Sequence, residues 1–391
     1  MREFEKLNST LIICLVLLFA ACSGPEEEDA AGTPTQEVPL IRELVDSRFD
    51  EYLQDMMTDE HFTGVALVMK SGILIHAKGY GNATGKKENT VATVFHVASV
   101  TKQFTAAAVL QLVEKGMVDL DVSVNEYLPR KYQSSKWETV SIHHLLSHSS
   151  GITDYALTRD YYDVVDGFCL GDTVDGMIKE AMTKELEFEP GSRYSYSNIG
   201  FTLLGFVVEN QSSTPYHEYL ATNIFEPMGM TSSKVHIIGH VPDAEEAKGY
   251  RWNEEIGAHA PDEVVTLPVT APDGGLVTTL SDFAKWSDIY MGSESEVLNA
   301  ESLAAMTTPA VPIHGTDSDF EDARGVPQSY GYGLFIGDQL VSHEGYIVGY
   351  RSHFIVDREK RMLIVVFSNN TTNDPKRIST GILSILDSSS S

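Results

Sequence analysis

The sequence predicts a mixed α/β (α+β) protein: an antiparallel β-sheet built from both ends of the chain, flanked by helices, with a mostly helical subdomain inserted. Three observations carry this. Near the N-terminal side, "GVALVMKSGILIHAKGYGN" (64–82) reads as two apolar strands joined at Lys70-Ser71-Gly72. At the other end "YGYGLFI" (330–336), "GYRSHFIV" (349–356) and "RMLIVVFSN" (361–369) are rich in β-branched and aromatic residues. Between them, from Ser99 to about Val264, helical spacing dominates, punctuated by Pro and Gly turns. Strands at both ends with helices between them suit one sheet closed by the two termini.

Taken in order, "LIRELVDSRFDEYLQDMM" (40–57) has helical spacing from about Pro39, so the first hairpin should follow a helix. "HVASVTKQFTAAAVLQLVEKG" (96–116) places Ser99 at the front of a second helix, and "RISTGILSILDS" (377–388) closes the chain with another. The folded domain is expected over 39–391, with its helical subdomain at about 115–265. No internal repeat is found.

The N-terminus has a different character. Arg2 and Lys6 precede the apolar run "LIICLVLLFAAC" (11–22), too short to span a bilayer comfortably but suited to an export signal over 1–21. Its end resembles a bacterial lipobox, with Cys22 as the lipidated residue, although Phe19 stands where that pattern prefers Leu. Residues 22–38, rich in Pro, Gly, Thr and Glu, read as a disordered tether. The expectation is an exported chain, lipid-anchored to the bacterial cell envelope, its only membrane contact being that anchor; ordinary cleavage near Ala20 and Ala21, releasing the chain, is the alternative. Of three cysteines only Cys169 would remain unmodified, so an intrachain disulfide is not expected.

The composition has 42% hydrophobic residues, ample for a core, and 28 Lys+Arg against 56 Asp+Glu. The resulting charge of −28 argues against nucleic acid or anionic lipid as partner. A small molecule or short peptide is the expected substrate, and the oligomeric state is left open.

Three short motifs occur in order. Ser99-Val-Thr-Lys102 is the only S-x-x-K, and on a helix residues three apart share a face. Tyr196-Ser-Asn198 is a Y-x-N in the helical region, and His343-Glu344-Gly345 enters a C-terminal strand. Tyr80-Gly81-Asn82 and Lys70-Ser71-Gly72 imitate the second and third motifs but precede Ser99. With "VSIHHLLSHSSGI" (140–152), "PDGGLVTTLSDFAKW" (272–286) and "YGYGLFI", the chain from about Pro39 onward resembles the serine β-lactamase-like, penicillin-binding-protein-like superfamily. The similarity is greatest to its class C β-lactamase, D-aminopeptidase, D-Ala-D-Ala carboxypeptidase and esterase branch.

The resemblance implies a β-lactamase/transpeptidase-like fold and a hydrolase that cleaves an ester or amide through an acyl-enzyme on Ser99. Lys102 and Tyr196 would move the proton, with either as general base. The backbone N–H groups of Ser99 and Tyr346 would form the oxyanion hole, and Asn198, His343, Glu344 and Gly345 would bind substrate. His343 stands where typical β-lactamases carry a cationic lysine, and Glu344 where Thr or Ser is usual. These departures favour esterase or peptidase chemistry over D-Ala-D-Ala carboxypeptidase, D-aminopeptidase or β-lactamase activity. A catalytically silent ligand-binding relative is the reading of another class. No cofactor or metal is expected: His144 and His148 read as structural despite their i, i+4 spacing, and His217-Glu218 lacks the second histidine of a zincin helix.

Overall fold

The computed structural model describes residues 41–154, 164–165, 168–169, 174–236, 243–262, 271–292, 295–314, 323–324 and 328–388. The expected signal, tether and Cys22 lie outside the described residues.

The first hairpin forms as expected: β1 (Gly64–Lys70) turns at Ser71-Gly72 into β2 (Ile73–Tyr80). Late in the chain follow β3 (Val311–Pro312), β4 (Ser329–Tyr330), β5 (Phe335–Ile336), β6 (Leu340–Ile347), β7 (Tyr350–Asp357) and β8 (Met362–Ser368). They form one sheet in the order β3-β4-β5-β6-β7-β8-β1-β2, with every neighbouring pair antiparallel. The join between the two ends is β1 against β8, in register Val65↔Phe367 and Leu67↔Val365.

The twofold side-chain period explains the layers. Val65, Leu67, Val365 and Phe367 enter the core beneath the helical body, whereas Ala66, Val68, Ile364 and Val366 enter a second core on the opposite face. That second core is covered by α1 (Ser47–Asp59) and, at the end of the chain, the helix Pro375–Ser388, through Phe49, Leu53, Ile378 and Ile382. At about 1.5–3 kcal/mol for each large apolar side chain buried, both faces contribute. Strands buried on both faces account for the nearly continuous apolar runs at 64–69 and 362–367.

The helical body includes α2 (Lys102–Glu114), α3 (Ile142–Leu146), α4 (Asn198–Ser212) and α5 (Leu280–Ser287). The region is less uniformly helical than its spacing implies, because Tyr250–Asn253 and Ala258–Pro261 pair as a hairpin. Phe95–His96, Leu276–Thr278 and Lys234–Val235 also form a small sheet. The first helix begins at Ser47, not near Pro39. Leu44 instead bridges to Ala77 beside β2, and Asp46 caps the helix by accepting the Arg48 N–H.

Candidate active site

Ser99 does not lie on α2 itself. It sits in the 3-10 turn Ala98–Thr101 that leads into the helix. Ala98 has φ +47, a left-handed conformation that costs a non-glycine residue about 1 kcal/mol or more. The turn is tied down on both sides: Thr101 Oγ1 donates to the Ala98 carbonyl at 2.6 Å and accepts from the Leu276 N–H at 2.9 Å. The Val97 N–H donates to the Leu276 carbonyl at 3.1 Å.

Strand β6 approaches this turn through Gly345. A Cβ on that residue would lie 2.2 Å from the Val97 carbonyl oxygen and 2.3 Å from Ser352 Oγ. Ser352 Oγ, across the ladder on β7, donates to that same Val97 carbonyl at 2.7 Å. Gly345 thus admits the serine turn to the strand, and its bare backbone is what the sequence-expected substrate-binding position offers. Beyond Ser342, β6 has no partner strand on its β5 side among the described residues, which leaves 343–347 an open edge beside Ser99.

Lys102 begins α2 and is completely buried. Its Nζ lies 3.1 Å from Ser99 Oγ, 2.9 Å from Asn198 Oδ1 and 2.8 Å from the Asp273 carbonyl, one acceptor for each ammonium proton. Burial pushes its pKa down to about 8, against the opposing charges of Asp273 and Asp154. The ammonium also sits 4.9 Å from the centre of the Tyr196 ring. Burial holds the Tyr196 hydroxyl well above its ordinary range, with a hydrogen bond to Ser99 acting in the opposite direction. The first two motifs therefore meet as spaced: Ser99, Lys102, Tyr196 and Asn198 form one cluster.

Two residues that sequence reasoning passed over complete it. Asp154 is buried at the start of α4, where its carboxylate accepts the backbone N–H of Asn198 and of Ile199 and the Asn198 side-chain amide. This orients Asn198 Oδ1 toward Lys102. Asp273 acts through its main chain inside "PDGGL", a quoted stretch whose residue types carry no hint of a carbonyl contact. Asp154, two residues past the quoted "HSSGI", has no motif signal at all.

His343 is enclosed at the third motif. Its Nδ1–H donates to the Glu344 carbonyl at 2.6 Å and its Nε2 accepts the Tyr330 hydroxyl at 2.9 Å, so both ring nitrogens are occupied in a neutral ring. It is 1% exposed, and burial, helped by the Lys102 charge, pushes its pKa down to about 3. Burial thus favours its neutral form. Glu344 and Tyr346 alternate onto the other face of β6, and both are exposed. The Glu344 charge reaches Tyr194, whose hydroxyl is pushed up mainly by burial and further by that charge. Tyr346 pairs with Arg351, whose guanidinium lies 4.5 Å from the centre of its ring.

The histidines of the "HHLLSH" stretch are structural in placement. His144 Nδ1 accepts the Ser141 N–H and completes a capping box on α3, and His148 Nδ1 accepts the Ser197 N–H at 3.1 Å.

Comparison with known proteins adds to this geometry. The Beta-lactamase family profile matches residues 49–386. The chain belongs to the β-lactamase family. Its relatives include a penicillin-binding protein of Bacillus subtilis (strain 168), 26% identical over 81% of this chain and 70% of that protein. A D-aminopeptidase of Gluconobacter oxydans (strain 621H) is 29% identical over 78% of this chain and 55% of its own length. The octameric penicillin-binding protein homologue from Pyrococcus abyssi superposes with a TM-score of 0.73 at 29% identity, covering 87% of this chain and 77% of that one. Members of this β-lactamase family are serine hydrolases, and the sheet with its helical body is the fold they share.

Proposed function

We propose that this β-lactamase-family hydrolase cleaves an ester or amide through an acyl-enzyme on Ser99, with Lys102 as general base and Tyr196 as proton carrier. The observation that carries the reading is the 3.1 Å approach of Lys102 Nζ to Ser99 Oγ. With a pKa of about 8, Lys102 is substantially neutral in mildly alkaline solution, whereas Tyr196 stays a phenol. A neutral amine keeps two N–H donors on Asn198 and Asp273 and turns its lone pair to the Ser99 hydroxyl. Lys102 takes the Ser99 proton as Oγ attacks the carbonyl carbon. The resulting oxyanion is received by the backbone N–H groups of Ser99 and Tyr346. Tyr196 then gives a proton to the leaving alcohol or amine and is resupplied from Lys102, after which water hydrolyses the acyl-enzyme.

The preferred substrate is neutral or amine-bearing. A neutral His343 offers no cation to a substrate carboxylate, and exposed Glu344 opposes one. The D-aminopeptidase relative supports an amine-bearing amide among the candidates. Wild type and Ser99→Ala treated with a fluorophosphonate probe and a short p-nitrophenyl ester test the nucleophile. Labelling and turnover should vanish in the variant, and equal labelling in both would remove Ser99 from its role. Export and lipidation at Cys22 are proposed from residues 11–22 alone. Detergent-phase partitioning should then be lost in Cys22→Ala, and an aqueous wild type would refute the anchor.

A further inference from the structure

His148 lies against the face of the site that the reaction scheme does not use. It is 1% exposed and has φ +55. Its Nδ1 accepts the Ser197 N–H at 3.1 Å, and its carbonyl accepts the Ser195 N–H at 2.8 Å, so it grips the chain on both sides of Tyr196. Its ring packs 4.2 Å from the Tyr196 ring, centre to centre, with Phe201 at 5.0 Å and Tyr330 at 4.6 Å. An Nδ1 that accepts places the ring proton on Nε2. That atom is buried without a hydrogen-bond partner among the described residues. A buried polar atom left unpaired is a cost that a purely apolar filler would avoid. A phenylalanine would pack in the same space, but it could not accept the Ser197 N–H.

We propose that His148 is a positioning residue for Tyr196: as a neutral Nε2–H imidazole it fixes the Tyr196-Ser197 backbone through Nδ1 and supports the Tyr196 ring with its face. It never touches substrate. It sets where the phenol hydroxyl stands beside Ser99, and the inference rests on the acyl-enzyme reading above. Neutrality is needed for this task, because a proton on Nδ1 would break the Ser197 bond. Burial, with the charge of Lys102 second, holds the ring pKa well below its ordinary value.

Two substitutions separate the components. His148→Phe retains an aromatic face without an acceptor, whereas His148→Asn places a carbonyl oxygen near the Nδ1 position without the face. Steady-state hydrolysis of a p-nitrophenyl ester is followed from pH 6 to 10, with thermal melts. Phe49→Leu, in the core on the far side of the sheet, serves as a destabilised control, and Ser99→Ala as the catalytic one. The expected result is a kcat reduced about 10- to 100-fold in His148→Phe, KM within about twofold, and a displaced alkaline midpoint of the pH profile. His148→Asn should recover part of kcat, and Phe49→Leu should lower the melting temperature without moving the profile. Wild-type kcat and profile in a folded His148→Phe overturn the inference. A kcat that falls only in step with melting temperature across both His148 variants and Phe49→Leu overturns it too. If Ser99→Ala is still active, the reaction assignment fails instead, which is a distinguishable outcome.

Discussion

Asp154 grips Asn198 from two directions: one carboxylate oxygen accepts its backbone N–H at 2.7 Å, and the other accepts its side-chain amide at 3.0 Å. The first oxygen also accepts the Ile199 N–H at 3.1 Å. The amide oxygen of Asn198 is thereby committed to Lys102.

Asp154→Asn replaces one acceptor with a donor, so the Asn198 amide must flip or lose a bond, and a flipped amide meets the Lys102 ammonium N–H to N–H. The substitution also removes a negative charge that favours the lysine cation. We expect a folded protein with kcat reduced at least about tenfold and an activity midpoint below that of the wild type, read from kcat/KM against pH. Asp154→Ala leaves three donors unmet, at about 1 kcal/mol or more each, and should lower unfolding free energy by roughly 3 kcal/mol in a urea titration.

Gly345→Ala tests the approach of the serine turn to β6. The added methyl overlaps the Val97 carbonyl, which is main chain and cannot swing aside. Activity should fall more than about 100-fold with a stability loss of about 1–3 kcal/mol. Adding Ser352→Ala relieves only the Oγ contact, so the double variant should remain nearly inactive in the same ester assay.

Acid should destabilise the fold through its buried neutral histidines. Burial lowers the pKa of His76 to about 4, and of His343 and His353 to about 3, from 6.5. Their contribution is complete above pH 6.5 and is lost as pH falls through that value toward 4 and then 3. Each group adds a slope of up to about 1.4 kcal/mol per pH unit in that window. Urea midpoints should therefore decline steadily from pH 6.5 to 4, and His353→Gln should flatten the decline.

Glu344→Thr restores a hydroxyl at the third motif and removes the exposed charge. The ratio of kcat/KM for carboxylate-bearing substrates, such as D-Ala-D-Ala peptides or penicillins, to that for neutral esters should rise severalfold. A charge pair at 4 Å is worth about 1 kcal/mol in bulk water, and more where water is excluded. An unchanged ratio in a folded variant would assign Glu344 to structure alone.

The two-ended sheet was legible because strands buried on both faces leave long apolar runs, and Val65 to Met69 and Met362 to Phe367 are such runs. The hairpin at 250–261 was not, because "YRWN" and "AHAP" are short and partly exposed, so neither shows apolar alternation. Ser99, Lys102, Tyr196 and Asn198 were legible because side-chain chemistry at motif spacing announces them. What the third motif does was only half legible: a histidine reads the same whether it is a surface cation or a buried neutral ring, and it is burial across the fold that favours the neutral form here. Asp154 and the Asp273 carbonyl were invisible because their roles come from contacts made across the fold.

Activation of Ser99 by a buried Lys102, its pKa lowered by burial to about 8, is what the proposed reaction requires. It is tested most directly by the rate of covalent labelling with a fluorophosphonate measured from pH 6 to 10, with the adduct mapped by peptide mass spectrometry. A single adduct on Ser99 is expected, its rate of formation rising through a midpoint at about 8 as the lysine loses its proton. An adduct on another residue, or a rate on Ser99 that is flat across that range, would contradict it.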